Sequence, residues 1–430
     1  MNRYRIRGIY YIDSRYDSLM GPADIYIDRT ISFTGDKGDY KDIDGRGMVL
    51  MPGFIQLHVH LCQHLYKGMA EDMPLFDWLE KHILPYEMNL TRNHLAVSAR
   101  SALFEMISSG TTAFLDMGTF DNQDVLFEEI ERSGITGFTG NVLMDRKIGD
   151  FYNDLNDYSK YSGDMAAMSR DYNHAEYVLC PRFLPGITRE GADEIRKLSE
   201  EYNLIIHTHA SETAREVEFS RELYGMGNIE AMQEMGVLGP NTVIAHVIHI
   251  TEKEQEILRD THTNIVHCPS ANMKLGSGIA EIDKMTGMGI NTGLGSDGAP
   301  CNNNNSQIME MRLAGLLQKV RYGPYKMNAR KIFKMATVNG AKALGLESVG
   351  LIEEGYGADV LMMDMTGLHL SDMRANPFAS IIYSSYPGDI KWVFAKGIPL
   401  KSNGSITVYN ENDILAERQR ALKDLFPDRF

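Results

Sequence analysis

The sequence predicts an α/β protein, a (β/α)8 TIM barrel with a small β-sandwich domain built from both chain ends. Two observations carry this prediction. Between about residue 51 and residue 300, eight short β-prone runs alternate with segments of helical periodicity, which is typical of a barrel of parallel strands. On both sides of this region the sequence changes to short strands broken by Gly and Asp, as in "ADIYIDRTISFTGDKGD".

Each of the eight runs ends on polar residues, at the position where barrel enzymes carry their active sites. Helical segments such as "RSALFEMISSG" and "ADEIRKLSEEYN" lie between the runs and end in Gly or Asn. A doubly wound open sheet is the alternative, but no GxGxxG turn follows an early run. The runs are "GFIQLHVH", "TTAFLDMG", "TGFTGNVLMD", "AEYVLCPRF", "LIIHTHASE", "NTVIAHVIH", "TNIVHCPSAN" and "INTGLGSDGAP".

The predicted domain limits follow from the change in sequence pattern, from alternating strand-like and helical segments to short strands broken by Gly and Asp. Residues 52–351 form the barrel, whereas residues 1–51 and 352–430 together form the composite β domain. The C-terminal part of this domain contains strand-like segments such as "IKWVFAKGIPLKSNGSITVYN". A last helix, "NDILAERQRALKDLF", closes the chain.

Composition excludes several classes of partner. The net charge of −15 argues against a nucleic acid, because an acidic surface repels phosphates. No apolar run approaches the roughly 18–20 residues of a membrane helix, and the first residues lack a signal-peptide layout. Four well-separated cysteines without a CxxC pair fit a reducing compartment. We therefore expect a cytoplasmic protein that binds neither nucleic acid nor membrane.

The first run ends in two histidines separated by one residue, His58 and His60. Residues i and i+2 of a strand face the same side, so both imidazoles point into the barrel mouth, as two ligands of one metal ion would. Later run ends offer more ligand types, and a water-activating metal needs a few N/O ligands beside an acid–base group. These later residues are His207, His209, Glu212, His246, His249 and Asp297.

These motifs resemble the amidohydrolase superfamily, and within it the group of cytosine deaminases, guanine deaminases and methylthioadenosine/S-adenosylhomocysteine deaminases. The similar segments are "MPGFIQLHVHLCQHLYKGM", "IHTHASE", "AHVIHI", "HCPSANMKLGSGIA" and "GLGSDGAPCNNN". The flanking "DIDGRGMVLMPGF" and "LGLIEEGYGADVLMMD" are similar too, so the resemblance covers nearly the whole chain. It is strongest to members labelled 5′-deoxyadenosine deaminase or N-ethylammeline chlorohydrolase.

The resemblance implies one divalent metal ion per subunit, with His58, His60, His209 and Asp297 as its ligands. His207 faces the same side as His209, but the ligand in the family is the His three residues before the Glu. Zinc is the expected metal and iron the alternative. Binuclear relatives use a modified Lys at the end of the fourth strand, which this sequence lacks, so the site is expected to be mononuclear.

The resemblance also assigns the catalytic residues. A metal-bound hydroxide would attack the ring carbon, with Asp297 accepting the water proton and His246 holding the hydroxide and the developing charge. Glu212 would protonate the neighbouring ring nitrogen and then help the amine to leave. For His249 the expectation is a polar residue without a catalytic role.

The predicted substrate contacts point to different substrates. Glu87 matches a position that binds ribose hydroxyls in methylthioadenosine/S-adenosylhomocysteine deaminases, and Trp78 could stack on a base. Arg182 stands where nucleoside deaminases of this group usually have His, and "PRF" resembles guanine deaminases, whose Arg contacts the base. His267 and Asn272 are further predicted contacts.

The leading hypothesis is a deaminase of an adenosine-type nucleoside, namely 5′-deoxyadenosine, 5′-methylthioadenosine, S-adenosylhomocysteine or adenosine, which releases ammonia and the inosine analogue. Deamination of guanine or a pterin-type base, and hydrolysis of an s-triazine, are the alternatives. A binding protein that keeps only the fold would have lost a ligand or the Glu, and neither is missing. Relatives of this kind lead us to expect a homo-oligomer, a dimer or tetramer.

Overall fold

The computed structural model describes residues 3–16 and 18–429. Its strands form two separate sheets, one from the chain ends and one from the middle of the chain. The first five strands belong to the terminal sheet: β1 (Tyr4–Ile12), β2 (Leu19–Ile27), β3 (Ile31–Ser32), β4 (Lys41–Asp44) and β5 (Met48–Pro52).

The next nine strands build the central parallel sheet. They are β6 (Phe54–His60), β7 (Thr111–Asp116), β8 (Thr136–Leu143), β9 (Ala175–Pro181), β10 (Ile206–Ala210), β11 (Thr242–His246), β12 (Asn264–His267), β13 (Thr292–Leu294) and β14 (Asp297–Gly298). The last four return to the terminal sheet: β15 (Val360–Asp364), β16 (Ile390–Ala395), β17 (Ile398–Ser402) and β18 (Ser405–Ile406).

The central sheet closes into a barrel. Each strand from β6 to β12 pairs in parallel with the next one along the chain. β13 and β14 are successive parts of the eighth barrel strand, and β14 pairs with β6 through Asp297–Val59 and Gly298–His60. The predicted barrel is thereby confirmed, and each of its strands lies within one of the eight predicted runs.

Helices connect the barrel strands, as a parallel arrangement requires. The α-helices are α1 (Leu75–Trp78), α2 (Leu84–Met88), α3 (Arg92–Ser108), α4 (Gln123–Ser133), α5 (Leu155–Met168), α6 (Arg189–Tyr202), α7 (Ala214–Tyr224), α8 (Asn228–Glu234), α9 (Glu252–Asp260), α10 (Pro269–Lys274), α11 (Ile282–Gly287), α12 (Ala299–Asn302), α13 (Gln307–Tyr322), α14 (Ala329–Met335), α15 (Val338–Ala343), α16 (Pro377–Tyr383) and α17 (Glu411–Leu425). Short 3-10 helices span Leu61–Tyr66, Ser169–Asp171, Leu184–Gly186 and Pro387–Asp389, and a π-helical turn spans Leu79–Ile83.

In helix α6 the local sequence determines where the helix begins, which face is buried and where it ends. The Thr188 side chain accepts from the Gly191 backbone N–H at the helix start, as an N-cap residue does. Ile195 and Leu198 are buried on its apolar face. Asn203 then takes a left-handed conformation with φ of 55°, which ends the helix.

The terminal sheet joins the two ends of the chain. β5 and β15 pair as antiparallel neighbours, from Val360–Pro52 to Asp364–Met48. The last helix, α17, instead packs against the barrel helix α3, where Arg100 forms an ion pair with Glu417 and His94 forms a hydrogen bond with Asp424. Among the described residues, no helix has both the length and the apolar character that crossing a membrane requires.

Candidate metal centre

The predicted metal-binding side chains meet at the carboxyl end of the barrel. His58 and His60 end β6, His209 lies on β10, and Asp297 begins β14. One ligand atom from each of these four residues lies within 4.8 Å of all the others. Because the carboxyl ends of parallel barrel strands meet at one face, residues up to 239 positions apart converge there.

The spacing of these atoms suits a single small cation. Asp297 Oδ1 lies 3.3 Å from both His58 Nε2 and His60 Nε2, and His209 Nε2 lies 3.4 Å from His60 Nε2. Zn–N and Zn–O bonds of about 2.0–2.2 Å in a tetrahedral site separate neighbouring ligand atoms by roughly 3.4 Å. His58 Nε2 is buried and has no hydrogen-bond partner among the described residues. The donor set of three imidazoles and one carboxylate therefore fits a divalent ion.

Hydrogen bonds behind the cluster fix the tautomers of two histidines. His207 Nδ1 donates to the Val243 carbonyl at 3.0 Å, so His207 Nε2 is free to accept the proton on His58 Nδ1 at 2.8 Å. His209 Nδ1 donates to the Arg182 carbonyl at 2.6 Å. Both contacts leave Nε2 of His58 and His209 with a lone pair directed at the cluster. His207 thus supports the group from behind, while His209 belongs to it.

A His207→Ala variant is expected to bind its metal about 10- to 100-fold more weakly, because it removes the acceptor that orients His58. His207→Gln can still offer an amide oxygen to His58 Nδ1 and should lose less. Metal affinity would be measured by competition with a chromophoric chelator. Equal affinities for His207→Ala and the wild type would contradict the supporting role of His207.

The backbone around Asp297 allows this side chain to approach the first barrel strand, β6. A side chain at position 295 would place its Cβ 2.7 Å from the His58 carbonyl oxygen, so only Gly295 lets the strands come this close. Asp297 itself adopts a left-handed φ of 63°. Asn302 donates to the Ser296 carbonyl at 2.6 Å, and Asn305 donates to Ser296 Oγ at 3.0 Å. The loop of four asparagines therefore holds the segment that carries Asp297.

Glu212 and His246 lie beside the cluster. His246 Nε2 is 3.5 Å from Glu212 Oε2 and 3.9 Å from Asp297 Oδ2. His246 Nδ1 donates to Asn272 Oδ1 at 2.8 Å, and Ser277 Oγ donates to Glu212 Oε1 at 3.1 Å. Each of these two side chains is thus anchored on one side and directed at the cluster on the other.

The environment shifts the proton affinities of this pair. Burial raises the pKa of Glu212 above its ordinary value, and the charge of Asp297 adds to this although His246 opposes it. Burial by itself would lower the pKa of His246, but the carboxylates of Glu212 and Asp297 outweigh it and raise that pKa. A buried carboxyl with a raised pKa holds its proton more readily than an exposed carboxyl does.

A small cavity of about 40 Å³ adjoins the cluster, which is room for two or three water molecules. Its polar wall includes Gln63 and Arg182, and its apolar wall includes Trp78 and Phe76. Trp78 is buried, and its indole N–H has no hydrogen-bond partner within the described part of the chain. The complete lining is His60, Gln63, Leu75, Phe76, Trp78, Leu79, Arg182, Phe183, His209, Glu212, Glu216, His246, Leu275 and Asp297.

Glu87 and Arg182, both predicted substrate contacts, form a buried ion pair with each other. Arg182 Nη1 donates to Glu87 Oε2 at 2.6 Å and Nη2 donates to Oε1 at 3.3 Å. Gln63 Nε2 also donates to Glu87 Oε1, at 2.7 Å. Burial would raise the pKa of Glu87, but the Arg182 guanidinium holds it below its ordinary value. Arg182 lines the cavity, whereas Glu87 is placed behind it.

His267 and Asn272, the other two predicted contacts, are buried. Asn272 bonds to His246, and both ring nitrogens of His267 are buried without partners among the described residues. Neither is part of the cavity lining given above, so their substrate contact stays a prediction. His249, for which no role was expected, donates from Nε2 to the Ser277 carbonyl at 2.8 Å.

Three residues near the site, Gln63, Glu216 and Ser277, were not predicted from the sequence. Local sequence patterns do indicate the first two. Gln63 follows His60 by three residues, so a tight turn after β6 would return it to the site. Glu216 completes the capping pattern "TARE" at the start of α7, in the segment that follows Glu212. Ser277 had no comparable local signal.

A barrel that gathers this donor set at the carboxyl ends of its strands has the arrangement in which a bound metal ion would activate water. The model of the amidohydrolase family matches residues 49–399, and the chain belongs to that family. The resemblance found in the motifs is thereby confirmed.

Named relatives cover most of the chain. It is 36% identical over 359 residues to a 5-methylthioadenosine/S-adenosylhomocysteine deaminase of Thermococcus onnurineus, with 83% of each protein covered. It is 33% identical over 395 residues to a 5′-deoxyadenosine deaminase of Methanococcoides burtonii, with 89% of this chain and 87% of that protein covered. The crystal structure of a zinc-bound adenosine deaminase from Xanthomonas campestris superposes with a TM-score of 0.90 at 23% identity, covering 98% of each chain.

Proposed function

We propose that the protein is a metal-dependent aminohydrolase that converts an adenosine-type nucleoside to its inosine analogue and ammonia. The observation that carries this proposal is the convergence of His58, His60, His209 and Asp297 beside Glu212. The names of the two relatives, a methylthioadenosine/S-adenosylhomocysteine deaminase and a 5′-deoxyadenosine deaminase, support the substrate class.

The four clustered residues would hold one divalent ion, and zinc suits three imidazoles and a carboxylate in a tetrahedral site. When bound, the ion supplies a water that is nucleophilic at neutral pH. Iron(II) takes similar ligands, so metal analysis of the purified protein decides between the two. The homo-oligomeric state and the cytoplasmic location stay predictions.

The protein side chains provide the proton path. Asp297 Oδ1 faces His58 and His60, while Oδ2 faces His246, so Oδ2 is the oxygen that accepts the proton of the attacking water. His246 lies between Asp297 and Glu212 and stabilises negative charge that develops on the attacked ring. Glu212, with its raised pKa, donates a proton to the adjacent ring nitrogen and then assists departure of the amine.

The cavity is too small for a nucleoside in this conformation. Leu75, Phe76, Trp78 and Leu79 close one side of it, and all four belong to α1 or to the π-helical turn that follows. Lys274 ties the preceding loop to α10 through Glu71 at 2.7 Å. We infer that this segment, as the cover of the cavity, moves outward to admit substrate.

A second cavity of about 180 Å³ lies behind Glu87 and offers room for the 5′ end of a nucleoside. Glu87 lines this second cavity, and Arg182, its ion-pair partner, lines the first. A ribose bound at Glu87 would therefore project its 5′ substituent into the second cavity. Asp121 and Asp150 also line it, and within the described chain its lining includes no Lys or Arg. A neutral substituent suits this wall better than an anionic one.

The test is ammonia release by metal-analysed protein from 5′-deoxyadenosine, 5′-methylthioadenosine, S-adenosylhomocysteine, adenosine, guanine and an aminotriazine. Adenosine 5′-carboxylate would serve as the anionic probe. We expect the nucleosides to be deaminated, with kcat/KM for 5′-deoxyadenosine at least about tenfold above that for the 5′-carboxylate, because like charges repel in a partly buried wall.

Other outcomes of the same panel are equally informative. Activity on guanine or the triazine alone would make Arg182 the residue that selects the substrate and would exclude ribose binding at Glu87. No release from any compound by a protein with a stoichiometric metal would overturn the proposal. Equal kcat/KM for the neutral and anionic nucleosides would exclude the second cavity as the site of the 5′ group.

A further inference from the structure

We propose that Glu216 is a positioning residue that aims Glu212 at the reacting atoms, an inference that rests on the proposed deaminase function. Glu216 is 2% exposed, lies in the first turn of α7, and borders the same cavity as Glu212. It has no contact with the four clustered metal-site residues among the hydrogen bonds of the described chain. Its contacts are instead with the backbone that carries Glu212.

The Glu216 carboxylate holds this backbone at two points. The Ser211 N–H donates to Oε1 at 3.1 Å, and the Glu212 N–H donates to Oε2 at 2.8 Å. Asn228 Nδ2 donates a further hydrogen bond to Oε1 and fixes the carboxylate itself. A carboxylate that accepts from two consecutive N–H groups sets the orientation of the peptide between them, and here that peptide joins Ser211 to Glu212.

The clamped segment has a backbone conformation that needs support. Ser211 adopts a left-handed φ of 54°, which is costly for a residue other than Gly. Its carbonyl oxygen accepts from the N–H groups of Ile248 and His249, at 3.0 and 2.9 Å. These residues follow His246, which has a left-handed φ of 76°. Ser211 thus connects the loop of Glu212 with the loop of His246, and Glu216 fixes Ser211.

This arrangement matters because Glu212 has little other support. Among residues 3–16 and 18–429, its side chain receives one hydrogen bond, from Ser277 at 3.1 Å, and it faces His246 at 3.5 Å. An acid–base group acts efficiently only within hydrogen-bond reach of the atoms it serves. Displacement of such a group by about 1 Å can cost around 100-fold in rate. A residue that fixes its backbone therefore influences kcat without touching substrate.

The chain offers a matched control in Glu254. This residue is also buried, at 1% exposed, and it also occupies the first turn of its helix, α9. Its carboxylate likewise accepts backbone hydrogen bonds, from Thr251 N–H at 2.8 Å and Ile229 N–H at 3.2 Å. None of these contacts reaches Ser211 or Glu212. Glu254→Gln therefore reports the loss of a buried helix-capping carboxylate without a change at the site.

The experiment compares Glu216→Gln with Glu254→Gln in the metal-loaded enzyme, using the best nucleoside of the panel. In Glu216→Gln the new amide NH2 faces one of the two N–H groups, so the clamp is lost on one side. We expect kcat to fall about 10- to 100-fold with KM and metal content unchanged, and the two variants to lose similar amounts in Tm. Glu254→Gln should keep the wild-type kcat.

A double-mutant comparison separates positioning from general damage. On a Glu212→Gln background, Glu216→Gln should cost no further kcat, because the group it aims is already disabled. Should Glu216→Gln fail to fold, Asn228→Ala leaves the carboxylate in place and should give a smaller loss of the same kind. Equal kcat for Glu216→Gln and Glu254→Gln, or additive losses in the double variant, would overturn the positioning role. An inactive wild type would instead refute the deaminase function.

Discussion

An Asp297→Asn variant is expected to retain far less than one metal ion per subunit and to lose about 10²- to 10⁴-fold in kcat. Two losses combine in this variant. Oδ1 lies 3.3 Å from the Nε2 atoms of both His58 and His60. Because the other three clustered residues are histidines, Asp297 is the only anionic ligand of the four. Oδ2 faces His246 and, in the proposed mechanism, is the proton acceptor for the water, a role that an amide cannot take. Metal analysis and steady-state rates on the same preparation measure both effects.

Asp116→Asn provides the matched control for this variant. Asp116 is fully buried at the end of β7, and it accepts from the Leu61 N–H at 2.7 Å and from Thr139 Oγ1 at 2.6 Å. Asn keeps one oxygen for Leu61, and Thr139 can turn to accept from the amide. We expect this variant to keep its metal and most of its kcat. Stoichiometric metal and normal activity in Asp297→Asn would contradict the assigned site.

The position of the site was predictable because it depends on strand geometry. The two-residue period of a strand places His58 and His60 on one side, and barrel closure brings β6 next to β14. The same rule could not separate His207 from His209, since both face inward. The structure separates them by depth, because His207 bonds to His58 Nδ1 while His209 reaches the cluster itself.

Contacts between distant loops were not predictable. Glu87 and Arg182 are 95 residues apart, on α2 and on the loop after β9, and no periodic pattern relates them. Each residue was predicted to contact the substrate because of the motif around it. The fold instead pairs their opposite charges in a buried site, where an unpaired charge would be costly. The β domain built from both chain ends was expected, but which strands pair, such as β5 with β15, follows only from the three-dimensional register.

A Glu212→Gln variant is expected to keep a stoichiometric metal and yet lose about 10²- to 10⁴-fold in kcat. Glu212 is outside the group of four clustered ligands, and its oxygens contact Ser277 and His246. Gln has nearly the same shape but cannot carry a proton from water to the substrate ring. The ratio of metal content to activity therefore distinguishes this variant from Asp297→Asn, in which both fall together.

The leaving group sharpens the assignment of Glu212. An amine needs a proton to depart, whereas chloride does not, so a proton-donating Glu should matter less for 6-chloropurine riboside than for the matching aminopurine nucleoside. We expect the loss in kcat caused by Glu212→Gln to be at least about tenfold smaller with the chloro compound, which corresponds to about 1.4 kcal/mol of transition-state stabilisation. Both substrates require protonation of the ring nitrogen, so Glu212→Gln should still lose some kcat with the chloro compound. Equal losses with the two leaving groups would mean that Glu212 serves the ring nitrogen alone, and no loss with either would remove it from the proton path.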